Sequence, residues 1–174
     1  MRNLSTILAV IALLAPLSAM GAKPTTFSAG LGYAQGTSDT SAGEVDDTKA
    51  FLEFQYAKGA RFAYGATLRL GPAFGDGAIN DVFVDVRGRA GLRTAPGGLF
   101  GYGLFSARMT HWDFPLLFGG GISFPVSGDG RHLQFRLFAE YVASQGGSDS
   151  TTVTKDLGLQ SYEEWSAGLR WTFY

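Results

Sequence analysis

Hydrophobic and polar residues alternate with a period of two along most of this chain. Near its start Phe27, Ala29, Leu31 and Tyr33 are separated by Ser28, Gly30, Gly32 and Ala34. Further on, Leu52, Phe54 and Tyr56 alternate with Glu53 and Gln55, and Phe62, Tyr64, Ala66, Leu68 and Leu70 with Ala63, Gly65, Thr67 and Arg69. Val82, Val84, Val86, Ala90 and Leu92 face away from Phe83, Asp85, Arg87 and Arg89. The same rhythm runs through 116–124, 133–141 and 164–173. Side chains of a strand point alternately to its two faces, so each segment predicts a β-strand with one apolar and one polar face. The stretch from Phe100 to Thr110 is less regular, because Arg108 shares a face with Phe100, Tyr102 and Leu104. We read that face as apolar and Arg108 as a rim residue on it, with a bulge as the alternative. Eight strands result, and no amphipathic helix competes with them.

The connections alternate in length. Lys58-Gly59-Ala60, 94–98 and 127–131 are short and rich in Gly and Pro, which marks tight turns. The stretches 36–48, 71–80 and 144–157 are longer and polar, with a shorter one at 111–115. Such sorting, long on one side and short on the other, is a feature of outer-membrane barrels, whose short turns face the periplasm. Before the first strand, Met1-Arg2-Asn3 is followed by the apolar run Ile7–Leu14, Pro16 and the small residues 18–22. This predicts a secretory signal peptide over residues 1–21, cleaved before Ala22, and a mature barrel domain over 22–174.

Composition narrows the possibilities. The 174 residues include no cysteine and two histidines, so thiolate chemistry and thiolate metal sites are excluded and a histidine metal site has little to build on. Neither a metal nor another cofactor is expected. A net charge of -1 gives no electrostatic reason to bind nucleic acid. Beyond the leader, no run of about 20 apolar residues exists to form a membrane-spanning helix.

An eight-stranded barrel can place its apolar face inside, as soluble lipocalins do, or outside, towards lipid. Three features favour the outside. Phe62, Tyr64, Phe135, Trp165, Trp171 and Phe173 would crowd an interior barely wide enough for side chains. Small residues such as Gly30, Gly32, Gly65, Gly119, Gly121 and Gly168 collect on the polar face, where a crowded lumen needs them. The apolar faces also stay almost free of charge over about ten residues per strand, enough to cross a bilayer at a tilt. Aromatic residues gather near the strand ends. Phe27, Tyr56, Phe62, Phe100, Phe124, Trp171 and Phe173 lie toward the tight turns, and Tyr33, Trp112, Phe114, Tyr141, Tyr162 and Trp165 toward the long connections, as two interfacial girdles would. The expected fold is an all-β, eight-stranded antiparallel up-and-down transmembrane β-barrel.

Two segments carry a family resemblance: Ser28-Ala29-Gly30-Leu31-Gly32-Tyr33, and the closing Ala167-Gly168-Leu169-Arg170-Trp171-Thr172-Phe173-Tyr174. With them the chain resembles the small outer-membrane proteins of Gram-negative bacteria, the OmpA-transmembrane-domain and OmpX-like group of porin-family barrels. The resemblance implies an outer-membrane location and contact with its lipid and lipopolysaccharide. It also implies delivery by the barrel-assembly machinery, with Trp165, Leu169, Trp171, Phe173 and Tyr174 as the C-terminal assembly signal. Tyr174 is one residue beyond the apolar register. A monomer is expected, and the wall-tethering domain of full-length OmpA is not.

The polar faces supply the candidate site. Glu53, Asp85, Glu140 and Glu164, with Arg69, Arg87, Arg89, Arg136 and Arg170, all point into the predicted lumen. Buried charges must pair, so these residues predict an ion-pair network that fills the barrel rather than an ion path through it. The long connections carry Asp39, Glu44, Asp46, Asp47, Asp149 and Asp156 in no calcium-loop spacing, and are expected to be solvated. His111 and Asp113 fall near the predicted extracellular rim, where barrels that edit lipid A do their chemistry. No serine stands at a motif spacing from His111, and no catalytic residue is assigned. His132 reads as a surface residue. A structural or surface-interaction role is therefore expected, with a narrow porin-like channel, a lipid A-modifying enzyme and a soluble lipocalin-like binder as alternatives.

Overall fold

The structure, a computed structural model, describes residues 25–40, 43–75, 78–95, 97–109, 116–128, 132–145 and 159–174. The signal-peptide expectation, and those placed on Trp112, Phe114, His111, Asp113, Asp149 and Asp156, lie outside these residues. Eight strands run β1 (Thr25–Thr40), β2 (Gly43–Lys58), β3 (Phe62–Gly75), β4 (Ala78–Arg93), β5 (Phe100–Met109), β6 (Leu116–Gly128), β7 (Leu133–Gln145) and β8 (Leu159–Phe173). Each pairs antiparallel with the next, and β1 pairs with β8, so the sheet closes into an eight-stranded up-and-down barrel.

The register fixes the barrel's shape. Partner follows partner from Thr25 through Lys58, Tyr64, Ala90, Gly103, Gly120, Tyr141 and Trp165, and returns to β1 at Gln35. One circuit therefore climbs from residue 25 to residue 35 of the same strand. At about 3.3 Å per residue and 4.8 Å between strands, that stagger sets a strand tilt of about 40° and a radius of about 8 Å. Such a tube holds side chains and little else.

Tight turns join β2 to β3, β4 to β5 and β6 to β7. Each has a glycine in the left-handed region, Gly59 (φ 117°), Gly97 (φ 75°) and Gly128 (φ 114°), where a Cβ would be strained. At the other end the strands run further than the sequence pattern predicts. Thr40 pairs with Gly43 and Gly75 with Ala78, so most of 36–48 and 71–80 is ladder rather than loop. Polar residues on both faces hid the extensions of β1 and β2, and Gly71, Pro72 and Gly75 hid that of β3, since the alternation that betrays a strand is lost there.

The outer wall is apolar. Leu31, Leu52, Phe54, Leu68, Leu70, Val84, Phe118, Ile122 and Leu137 all point outward and are exposed. On β4 this zone runs from Val82 to Leu92 and on β7 from Leu133 to Ala143; at about 2.5 Å of axial rise per residue it is about 25 Å tall. Outward aromatics pair across strands near its edges: Phe27 with Tyr56 (ring centroids 5.4 Å apart), Phe135 with Trp171 (5.9 Å) and Tyr141 with Trp165 (4.6 Å).

The fifth strand faces the other way from its sequence reading. Phe100, Tyr102, Leu104, Ser106 and Arg108 are buried in the lumen, while Gly101, Gly103 and Met109 are exposed. No bulge interrupts β5, which keeps an unbroken register with β4 and β6. The large residues turn inward because their neighbours leave room: Tyr102 packs over the Cβ-less positions of Gly91 and Gly121. Phe100 is therefore not a girdle residue. Neither is Tyr162, which is 5% exposed and points into the lumen.

Candidate functional site: the charged lumen

The barrel interior is a layered set of ion pairs. Strand alternation sends Glu53 of β2, Arg69 of β3, Asp85, Arg87 and Arg89 of β4, Arg108 of β5, Glu140 of β7, and Glu164 and Arg170 of β8 inward, each no more than 3% exposed. Cross-strand register then places opposite charges on one rung, Glu53 beside Arg69, Arg69 beside Asp85, and Asp85 beside Arg108.

Four carboxylates organise the network. Glu53 accepts from Arg69 Nε at 2.7 Å and Arg89 Nη2 at 3.1 Å on one oxygen, and from Arg170 Nε at 2.5 Å on the other. Glu140 Oε2 accepts from Arg69 Nη2 and Arg87 Nη1, both at 2.7 Å. Its Oε1 accepts from the Tyr102 hydroxyl at 2.6 Å and lies 2.6 Å from Arg89 Nη2. Glu164 takes Arg108 on both oxygens at 2.7 Å, Arg87 at 3.0 Å and the Tyr162 hydroxyl at 2.7 Å. Asp85 holds Arg87 Nε at 2.8 Å, Arg108 Nη2 at 3.2 Å and the Ser106 hydroxyl. Charge-assisted bonds of this kind are roughly twice as strong as neutral ones, and they act against the cost of taking the ions out of water.

Aromatic rings fill the gaps between the ions. Arg69 lies over Phe51 at 4.2 Å, Arg170 over Phe138 at 4.4 Å and Arg108 over Phe83 at 5.5 Å. Glycines make the space. A Cβ on Gly32 would meet the Phe51 ring at 2.5 Å, and one on Gly168 would meet the Phe138 ring at 2.7 Å. Toward the strand extensions the network ends in Lys49, which donates to the Tyr162 hydroxyl at 2.8 Å and pairs with Asp47.

Of the nine residues singled out in the sequence, eight meet in this network: Glu53, Arg69, Asp85, Arg87, Arg89, Glu140, Glu164 and Arg170. Arg136 is buried but stands apart from it. Its guanidinium donates to the carbonyls of Gly97 (2.8 Å), Gly98 (2.6 Å) and Ser123 (2.8 Å), to the Ser123 hydroxyl (3.1 Å) and to Gln134 Oε1 (2.6 Å). It ties the β4–β5 turn across the tight-turn mouth. There Tyr174 turns underneath the barrel and donates to the same Gln134 oxygen at 2.7 Å.

Sequence reasoning missed Lys49, Tyr102, Ser106, Arg108 and Tyr162. A signal for Arg108 was present, since Ser106 and Arg108 share a parity that an outward face in lipid would not tolerate. Nothing comparable marks Lys49, which lies just outside the alternating core of its strand.

No family model matches the sequence, and no curated protein matches it. Among solved structures the chain is similar to the neisserial surface protein NspA, with a TM-score of 0.49 and 11% identity over 83% of this chain and 95% of that one. The architecture described above rests on this chain's own strands and register.

Proposed function

We propose that this chain is an integral outer-membrane β-barrel with a structural or surface-interaction role in the cell envelope, akin to the OmpA-transmembrane-domain and OmpX-like barrels. The observation that carries the reading is the inverted distribution of polarity: an apolar outer band about 25 Å tall around a charged, filled interior. In water that wall would aggregate, whereas in lipid it is solvated and a closed barrel leaves no backbone group unpaired. A lipocalin-like binder needs the reverse, an apolar cavity under a polar surface.

The filled lumen favours a structural part over a channel. The extended ends of β1, β2 and β8 support a surface role, because above the band they present Thr37, Asp39, Glu44, Asp46 and Glu163 outward, beyond the girdle residues Tyr33 and Trp165. In this reading a cleaved leader over residues 1–21 exports the chain. Trp165, Leu169, Trp171, Phe173 and Tyr174 serve the assembly machinery, and the mature monomer lies among outer-membrane lipid and lipopolysaccharide.

Gel mobility of the outer-membrane fraction, unboiled against boiled, tests the proposal. A shift in apparent size on boiling is expected of a closed, detergent-resistant barrel. Recovery of the protein in the soluble fraction with no shift would overturn it.

A further inference from the structure

The charges in the lumen do not balance evenly along its length. In the half nearer the strand extensions, Lys49, Arg87 and Arg108 face Asp47, Asp85 and Glu164, and the count closes. In the half nearer the tight turns, Arg69, Arg89 and Arg170 share Glu53 and Glu140, and Arg87 reaches across to Glu140 as well. Arg136 adds a further positive charge there. It is the cross-strand partner of Arg170, and among the described residues its bonds go to neutral oxygens. Among the described residues four buried guanidiniums, with the part-buried Arg93 beside Arg136, thus answer to two carboxylates in the turn-side half. An arginine cannot shed its proton to relieve this, and like charges on one rung repel.

The same half holds buried donors with nothing to bind. Among the described residues Arg89 Nε and Arg170 Nη2 have no hydrogen-bond partner, although both side chains are almost completely buried; Arg108 supplies one such nitrogen, Nε, in the other half. Each is the open member of a half-filled edge: Nη2 of Arg89 holds both carboxylates, and Nε of Arg170 holds Glu53. The two guanidiniums are close neighbours, since Glu140 Oε1 lies 2.6 Å from Arg89 Nη2 and 3.8 Å from Arg170 Nη2. Their flat faces are covered, Arg89 by Tyr102 at 5.2 Å and Arg170 by Phe138 at 4.4 Å, so only edges remain available to a ligand.

From the excess charge and the open N–H groups together, we propose that the turn-side half of the lumen binds a small monovalent inorganic anion of halide size at the edges of Arg89 and Arg170. An anion there completes the bonding of two buried cations and offsets part of the repulsion between Arg170 and Arg136. A divalent or bulky anion does not suit a lumen packed with aromatic rings. This site depends on the closed barrel and its charge count and would stand in whatever membrane the barrel occupies.

Bromide is the probe. Crystals of the wild-type barrel soaked in sodium bromide are expected to give an anomalous peak between Arg89 and Arg170. In detergent solution, the temperature at which the unboiled gel band converts to the boiled one is expected to be a few degrees higher in sodium bromide than in sodium gluconate of equal ionic strength, because a ligand that binds only the folded state stabilises it. Arg170→Gln should abolish that difference while the mobility shift itself persists. Bromide peaks confined to the outer surface, or equal wild-type midpoints in the two salts, would overturn the proposal without touching the barrel reading, which the mobility shift tests separately.

Discussion

Leu68 and Arg69 are neighbours in β3, one residue and half a turn of the pleat apart. Leu68 points outward beside Phe54 and Val86, with lipid as its only other company in the proposed setting. Arg69 points inward, is fully buried, and is held by Glu53 and Glu140 between the rings of Phe51 and Phe138. In that setting the outer wall asks only that a side chain be apolar, because hydrocarbon solvates any such shape. The lumen specifies each residue by several partners at once, because a buried ion missing one partner has no water to turn to. One strand therefore carries two kinds of constraint, alternating residue by residue.

Removing a shared carboxylate should break the lumen side most severely. Glu140 serves Arg69, Arg87, Arg89 and Tyr102, so Glu140→Ala leaves three guanidiniums competing for the remaining acids. A loss of about 3–5 kcal/mol in unfolding free energy is expected, the cost of orphaning buried charge. Urea titration of the barrel refolded into lipid vesicles, followed by tryptophan fluorescence, would measure it. A loss below about 1 kcal/mol would mean that the lumen is plastic and the contrast with the wall is wrong.

The wall is tested by two substitutions at one site. Leu68→Arg places a charge within the apolar outer band, and in the lipid vesicles of the same titration it should cost about 2–4 kcal/mol. Leu68→Ile keeps the class and should cost less than about 1.5 kcal/mol. If both variants lost the same amount, shape rather than polarity would govern the wall. That pairing has no counterpart at Arg69, where Arg69→Lys already breaks a two-carboxylate grip that an ammonium cannot reproduce.

The contrast also explains which parts of the molecule were legible in the sequence. Wall residues announce themselves by class, so a period-two pattern located all eight strands and the outward face of seven. Lumen residues were recognisable as charges, but their partners depend on stagger around the barrel, which alternation within a strand does not encode. The register that puts Asp85 beside Arg108 follows from β4–β5 pairing alone. The fifth strand misled because its inward face carries Phe100, Tyr102 and Leu104, while glycines stand at Gly101 and Gly103 on the wall. There bulk and polarity gave opposite signals, and bulk was followed where Ser106 and Arg108 should have decided. Above the apolar band the signal vanished, so the paired ends of β1 and β2 read as loop.

Tyr102→Phe sharpens the view of β5. If Tyr102 faced lipid, losing its hydroxyl would help or do nothing. Buried, with its hydroxyl on Glu140, the loss should cost about 1.5–3 kcal/mol, as expected of a hydrogen bond to a charged group. The chain has no cysteine, so single-site labelling can check the same point independently. Ala107→Cys should react with a bilayer-soluble maleimide in the folded barrel and Ser106→Cys should not; the opposite result would restore the outward face for the even positions.

The smallest effect belongs at the edge of the band, where wall and water meet. Tyr141 and Trp165 are cross-strand partners with ring centroids 4.6 Å apart, and Trp165 is 66% exposed. Their contact contributes about 0.5–1.5 kcal/mol beyond the area it covers, and a double-mutant cycle of Tyr141→Leu and Trp165→Leu isolates it from the anchoring of each ring at the interface. A coupling in that range is expected, well below the loss at Glu140, because leucine keeps the wall apolar and lipid fills what the ring leaves. A coupling near that of the buried network would show that the girdle is built like the lumen, with specified partners, and would erase the distinction between the two faces at the very place where it should be weakest.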